Sequence, residues 1–179
     1  REMPAHPAAI GVAVSVDRLW ASIAAATPVT VPDDPSDPLG DEVDKTFVAP
    51  VDRREDVRWL VAEVKRIQDE HDCAVLVDDK GPAADLIKDF EDAGVRLTKL
   101  SLYEWAEACS DFFDAVREGS LLHPSATELD DAVSTATWRS VGDRRVWGRK
   151  GGEISMLEAA TLASWGARGV GQGRRAVRA

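Results

Sequence analysis

The first part of the chain has apolar residues at alternate positions, which predicts β-strands. Residues 10–16 have isoleucine or valine at every second position, and successive side chains of a strand point to opposite faces. Residues 20–26 predict a second strand after a short turn, and residues 46–48 predict a third. Three strands in succession indicate an antiparallel meander.

The pattern then changes to helices that alternate with strands. Asp52 and Glu55 are spaced like a capping box and predict the start of an amphipathic helix. Residues 73–77 are apolar on both faces, as is typical of a buried parallel strand. Pro82 stands at the first position of a second predicted helix, and residues 95–100 predict a further strand.

The last third of the chain is predicted to be mainly helical. Ser101 and Glu104 form a capping box before a long amphipathic helix, and Ser125 begins another. The glycine-rich basic segment 139–152 predicts a hairpin or loop. A last helix starts near Ser155, with Glu158 completing a capping box. An antiparallel meander followed by alternating strands and helices indicates an α/β fold, with a mixed sheet flanked by helices.

Length and composition predict a single domain with short appendages. Of the 179 residues, 44% are hydrophobic, and no apolar run approaches the ~20 residues that a membrane span needs. Residues 1–9 are expected to be a linker or a cut end, 10–167 the domain, and 168–179 a flexible basic tail. Residues 32–44 combine prolines with six acids and predict a solvated loop.

Charge is distributed unevenly along the chain. The net charge is −10, yet residues 139–179 carry nine Lys or Arg against three Asp or Glu. This basic end could contact a phosphate backbone, or it could be an ordinary solvated surface. The overall acidity argues against a generic nucleic-acid coat protein.

The candidate chemistry rests on two carboxylates, because common nucleotide and hydrolase motifs are absent from the sequence. Asp78 stands at the carboxyl end of a buried strand, where burying an unpaired charge would be too costly. It is therefore a helix cap or an ion ligand. Glu153 precedes the last helix, whose positive end favours an acid.

Three blocks in this order resemble the nuclease half of tailed-bacteriophage terminase large subunits: VLVDDKGPAADLIKDFEDAGVRLTKL, EWAEACSDFFDAVREGSLLHP and ELDDAVSTATWRSVGDRRVWGRKGGEISMLEAATLASWG. The resemblance spans roughly residues 10–167. It implies an RNase H-like fold and a metal-dependent endonuclease that cuts concatemeric double-stranded viral DNA during packaging. It also implies two ions, Mg²⁺ or Mn²⁺, held by three carboxylates, which would activate water and stabilise the leaving oxygen.

The implied partners are double-stranded DNA, the terminase ATPase domain, the small terminase subunit and the portal, with no membrane. The implied location is the host cytoplasm. The resemblance also implies that an ATPase half precedes this domain in the family.

Carried over position by position, the resemblance leaves one carboxylate missing. Asp78 matches one family acid as a catalytic metal ligand, and Glu153 matches a second, which is usually Asp. Ala13 stands where the family has its first acid, and alanine cannot bind a metal. Asp17 is the candidate substitute ligand. It lies on the same strand face as Ala13 but about 13 Å further along an extended strand, so binding both ions from there would need a sharp bend. Asp79, which is expected to be solvated, is the other acid that could substitute. We expect weak metal binding and poor cleavage.

The resemblance also suggests a DNA-binding segment, formed by Arg144, Arg145, Arg149 and Lys150. The alternative for these residues is a solvated hairpin. Two further functions stay open for the whole chain. One is a non-catalytic RNase H-like module that binds DNA or docks to the motor, and the other is an unrelated α/β domain that binds a small acidic ligand.

Overall fold

The structure is a computed structural model that describes residues 3–37 and 39–178, with side chains as far as residue 169. Its strands are β1 (Ala9–Val14), β2 (Trp20–Pro32), β3 (Glu42–Glu55), β4 (Ala74–Asp78), β5 (Leu97–Leu100), β6 (Leu121–Leu122), β7 (Thr137–Val141) and β8 (Arg144–Gly148). Its helices are α1 (Leu60–His71), α2 (Ile87–Asp92), α3 (Leu102–Glu118), α4 (Thr127–Thr135) and α5 (Ser155–Arg178), and a 3₁₀ turn (Ala84–Leu86) precedes α2. None of the described helices is long and apolar enough to cross a membrane.

Six strands form one mixed sheet in the order β5-β4-β1-β2-β3-β6. Strands β1, β2 and β3 are the predicted antiparallel meander. Strand β4 then pairs parallel to β1, and β5 pairs parallel to β4. The predicted α/β fold with a mixed sheet is confirmed.

Helices cover both faces of this sheet and divide the core in two. Apolar residues of α3 and α5 pack on one face, and those of α1 and the segment around α2 pack on the other. Helix α5 lies very close to β1, because Gly11 has no side chain. A methyl group at Gly11 would lie 2.0 Å from the carbonyl oxygen of Ala159. This contact fixes the position of α5, on which the candidate site depends.

Two predictions for the first half of the chain are wrong. Strands β2 and β3 run far beyond residues 20–26 and 46–48 and form a long ribbon, so the expected loop 32–44 is shortened at both ends, by Pro32 and by residues 42–44. Asp52 lies within β3 rather than capping a helix, and α1 begins at Leu60 without a side-chain cap.

The basic segment forms the predicted hairpin, in which β7 and β8 pair as a separate two-stranded sheet. Helix α5 follows it and continues to Arg178, whereas the sequence predicts a flexible tail from residue 168. The side chains of Arg174, Arg175 and Arg178 lie outside the described residues. At the other end of the chain, Ala9 already belongs to β1 rather than to the predicted linker.

Candidate active site

The candidate site lies where β1 and β4 end, on the sheet face that packs against α5. Parallel pairing places Gly11 beside Leu76. The same register continued by two residues brings Ala13 beside Asp78 on the neighbouring strand, and adjacent strands are ~4.8 Å apart. Ala13 and Asp78 line one narrow cavity together with Glu158. The alanine is therefore the neighbour of the predicted metal ligand.

This row of positions continues across the meander. Ser22 on β2 pairs with Ala13, and Arg53 on β3 pairs with Ser22. The Ser22 hydroxyl lies 2.7 Å from the hydroxyl of Ser155 at the start of α5. Four positions therefore cross the sheet and face the beginning of α5: Asp78, Ala13, Ser22 and Arg53.

Asp78 is almost fully buried, with 7% of its surface exposed. The backbone N–H of Lys80 donates to its Oδ1 at 3.0 Å, and Arg149 Nη2 lies 3.4 Å from its Oδ2. Burial raises the pKa of Asp78, although these two donors oppose the shift. Gly81 closes the turn over Asp78, since a Cβ there would lie 2.7 Å from Oδ2. The sequence predicts that the neighbouring Asp79 is solvated, yet its Oδ1 is buried without a hydrogen-bond partner among the described residues.

Glu158 on α5 belongs to the site, although the sequence indicates only a capping role for it. It is 3% exposed. Arg149 donates to its Oε1 from Nε at 2.6 Å, and Nη2 of the same guanidinium lies 2.5 Å from that oxygen. Burial raises the pKa of Glu158 to about 7, and the charge of Arg149 partly offsets this effect. The sequence carries one signal that Glu158 is buried: helical spacing puts it on the same apolar face of α5 as Leu162 and Trp165.

Glu153 lies just before α5 and is held from two sides. Arg53 donates to its Oε2 from Nε at 3.0 Å and from Nη2 at 2.7 Å. The backbone N–H of Ser155 donates to its Oε1 at 2.7 Å, which satisfies a free donor at the helix start. The guanidinium of Arg53 also lies 3.7 Å from the centre of the Trp20 ring. Glu153 is thus both a helix-terminus contact and an ion-pair partner.

Asp17 reaches the same area because β1 ends at Val14 and the chain turns. The Ser15 hydroxyl donates to its Oδ1 at 2.5 Å and the Leu19 N–H at 3.0 Å, and both lower the pKa of Asp17. Asp17 lines an open cavity of about 330 Å³ with Glu153 and Glu158. The expected separation along an extended strand therefore does not apply.

Arg144 and Arg145 lie exposed on β8, where aromatic rings support their guanidinium groups. Arg144 lies 3.7 Å from the centre of the Tyr103 ring, and Arg145 lies 4.0 Å from that of Trp138. Trp138 in turn stacks on the buried Trp147, with ring centres 4.3 Å apart. Trp138 on β7 and Trp147 on β8 thus form a stacked pair within the hairpin, and Arg145 packs on Trp138.

Arg149 differs from the other predicted DNA-binding residues, because its side chain turns into the site. Only 19% of the side chain is exposed, and the guanidinium lies between Asp78 and Glu158. Its contacts are internal, which is inconsistent with a role as a free phosphate contact. Lys150 next to it is exposed and lines the open cavity.

The implied pair of divalent ions does not fit these side chains. Ala13 supplies no oxygen, and three of the nearby acids are paired with arginine: Asp78 and Glu158 with Arg149, and Glu153 with Arg53. Among the described residues, no group of three or more His, Cys, Asp or Glu side chains is arranged to hold a metal ion.

Comparisons with known proteins give no match by sequence, either to a family model or to a curated protein. Solved structures do match. The large terminase nuclease of thermophilic phage G20c with bound cobalt has a TM-score of 0.63 at 15% identity, and the match covers 90% of this chain and 82% of that one. The same nuclease with bound magnesium gives 0.59 at 16% identity, again over 90% and 82%. The large terminase of bacteriophage HK97 gives 0.57 at 15% identity, over 88% of this chain and 38% of that one.

The matched architecture is the mixed sheet flanked by helices described above. The likeness to terminase nucleases predicted from the sequence is therefore confirmed for the fold, and at these identities it concerns the fold alone. The chain has the RNase H-like fold of phage large terminase nuclease domains.

Proposed function

We propose that this chain is the endonuclease domain of a phage DNA-packaging terminase large subunit, with cleavage impaired by Ala13. The observation that carries the proposal is the narrow cavity that Ala13 and Asp78 line together, on the neighbouring parallel strands β1 and β4. Glu158 lines the same narrow cavity as both positions. A carboxylate at position 13 would form a cluster of acids at the ends of two central strands, where α/β proteins gather their chemistry.

The proposed substrate is concatemeric double-stranded viral DNA, approached by the β7–β8 hairpin. Arg144 and Arg145 are exposed on the hairpin, and Lys150 is exposed at the open cavity, so phosphates can reach all three side chains. The likeness to terminase nucleases supports DNA as the ligand. Within the proposal, the ATPase domain, the small terminase subunit and the portal are partners, and the protein acts in the host cytoplasm.

In the proposal, Asp78 and Glu153 are catalytic residues and metal ligands. Asp17, which lines the open cavity beside Glu153, is the third metal ligand. The proposed cofactor of a form with a carboxylate at position 13 is a pair of divalent ions, Mg²⁺ or Mn²⁺. The cobalt- and magnesium-bound G20c nuclease supports a divalent ion. In this chain, with Ala13 present, the side chains do not complete such a site.

The test is a plasmid-nicking assay with Mn²⁺ on the chain and its Ala13→Asp variant. The new carboxylate would add a negative charge that Arg149 does not neutralise, so only the variant is expected to cut. Ala13→Asn is the matched control, because it has the same shape without the charge. Cutting by the unchanged chain at ordinary enzyme levels would refute the impairment, and Asp17→Asn would then show whether that acid supports it.

A second candidate function is a non-catalytic module that binds DNA or docks to the packaging motor. The observation that favours it is the guanidinium of Arg149, which lies between Asp78 and Glu158. If neither the chain nor Ala13→Asp cuts, while both bind DNA in a salt-dependent manner, this module is the better description.

A further inference from the structure

Arg149 makes the most extensive charged contact in the candidate site. Its Nη2 lies 2.5 Å from Glu158 Oε1 and 3.4 Å from Asp78 Oδ2, while its Nε donates to Glu158 at 2.6 Å. The side chains of Glu158 and Asp78 are only 4% and 10% exposed. One positive charge thus bridges two buried carboxylates that belong to different elements, β4 and α5.

The two buried carboxylates account for the position of Arg149. Two buried carboxylates need a counter-charge, since an unpaired buried charge is very costly. Guanidinium suits this place because it is planar, always charged and less strongly hydrated than an ammonium. With Ala13 contributing no oxygen, Arg149 leaves the pair Asp78 and Glu158 with a net charge of about −1.

We propose that Arg149 is the resident cation of this chain's candidate site, holds β4 to α5, and excludes divalent ions from the Asp78–Glu158 pair. A divalent ion would have to displace the guanidinium, which lies against both carboxylates, before it could reach their oxygens. The role concerns the chain's own side chains, and it holds whether or not the protein acts on DNA.

The test measures thermal unfolding and Mn²⁺ binding at about pH 8, above the pKa of Glu158. The unchanged chain is expected to show the same Tm in EDTA and in millimolar MnCl₂, and no Mn²⁺ binding by EPR. Arg149→Met is expected to lower the Tm in EDTA on the order of 10 °C, because it leaves two buried acids uncompensated. MnCl₂ is expected to raise the Tm of this variant by several degrees, because the freed carboxylates then take up the ion.

Two further variants distinguish the effect of losing the Arg149 charge on Tm from a general loss of stability. Arg139→Met removes an exposed arginine of β7 and is expected to leave the Tm nearly unchanged. The double variant Arg149→Met/Glu158→Gln removes the bridging charge together with one acid, and is expected to recover much of the lost Tm without Mn²⁺. It also provides a soluble comparison if Arg149→Met fails to fold.

Two results would overturn the inference. One is tight Mn²⁺ binding by the unchanged chain with a matching rise in Tm. The other is an Arg149→Met variant as stable in EDTA as the Arg139→Met control. Neither result depends on DNA cleavage, so the outcome is independent of the plasmid assay on Ala13→Asp.

Discussion

The contact between Gly11 and α5 supplies a stability prediction that can be worked out from distances. In Gly11→Ala, the new methyl carbon would lie 2.0 Å from the carbonyl oxygen of Ala159 and 2.7 Å from the backbone nitrogen of Ala163. Real contacts of this kind are essentially never shorter than 3.0 Å. Helix α5 would therefore have to retreat from β1 by about 1 Å.

The cost of this retreat lies at the upper end of the range for overpacked cores. Those substitutions typically cost about 1–3 kcal/mol, and here backbone atoms on both sides leave no side chain free to rotate, so we expect about 3 kcal/mol. For a domain of this size, each kcal/mol lowers Tm by roughly 2–4 °C, which gives a loss of roughly 6–12 °C. The Arg149 bridge should loosen as well, because Glu158 moves with α5.

The assay is thermal and urea unfolding followed by circular dichroism, with two other glycine-to-alanine variants as matched controls. Gly169 lies on α5 with open space around it, so Gly169→Ala should gain up to about 1 kcal/mol of helix stability. At Gly166 a Cβ would lie 2.4 Å from the movable side chain of Leu76 and 2.7 Å from the Cβ of Ala9, which cannot rotate away, so Gly166→Ala should cost less than Gly11→Ala but more than Gly169→Ala. A Gly11→Ala variant as stable as the unchanged chain would refute the reasoning.

The remaining predictions concern titration, capping and salt. Because burial raises the pKa of Glu158 from 4.5 to about 7, the folded chain keeps a proton there that the unfolded chain releases. The free energy of unfolding should thus decrease as pH rises through this window, by at most about 1.4 kcal/mol per pH unit, and Glu158→Gln should flatten the profile in urea titrations. Ser101→Ala removes the acceptor of the Glu104 N–H in an intact capping box and should cost about 1 kcal/mol by urea unfolding, whereas Ser101→Asp should cost little. Arg144→Ala and Arg145→Ala should each reduce the steepness with which DNA affinity falls between about 50 and 200 mM salt, as checked by fluorescence anisotropy; an unchanged slope would remove them from the proposed DNA contact.

The elements that were predictable from the sequence are those fixed by local pattern. The capping box of Ser101 and Glu104 sets the start of α3, and the glycine-rich basic segment forms the hairpin. The full length of β2 and β3 is not predictable from local pattern, because their outer parts contain prolines and acids and are strand only through pairing with each other. The prediction that Asp52 caps a helix is wrong for the same reason, since only cross-strand pairing shows that β3 continues through this residue.

Only part of the candidate site is predictable, because the sequence shows where elements end but not which residues meet in the folded chain. Asp78 and Glu153 were indicated by their places at element ends. The pairing of Arg149 with Glu158 depends on tertiary contact, so an arginine in a basic run looked like a surface residue. The adjacency of Ala13 and Asp78 likewise depends on strand register, which the sequence alone does not determine.

The ribbon of β2 and β3 gives the molecule an electrical polarity. Its far end, residues 33–44, carries six acidic residues, whereas the candidate site lies at the opposite end of the sheet, where β1 and β4 finish. The exposed arginines of β8 lie toward that second end, since Arg144 stacks on Tyr103 at the start of α3. A polyanion approaching in solution is repelled by the acidic end and meets exposed arginines at the other. This difference favours one orientation of the domain over distances near the Debye length of about 8 Å. The acidic end of the ribbon thus influences how such a polyanion approaches the domain without itself contributing a contact to the site.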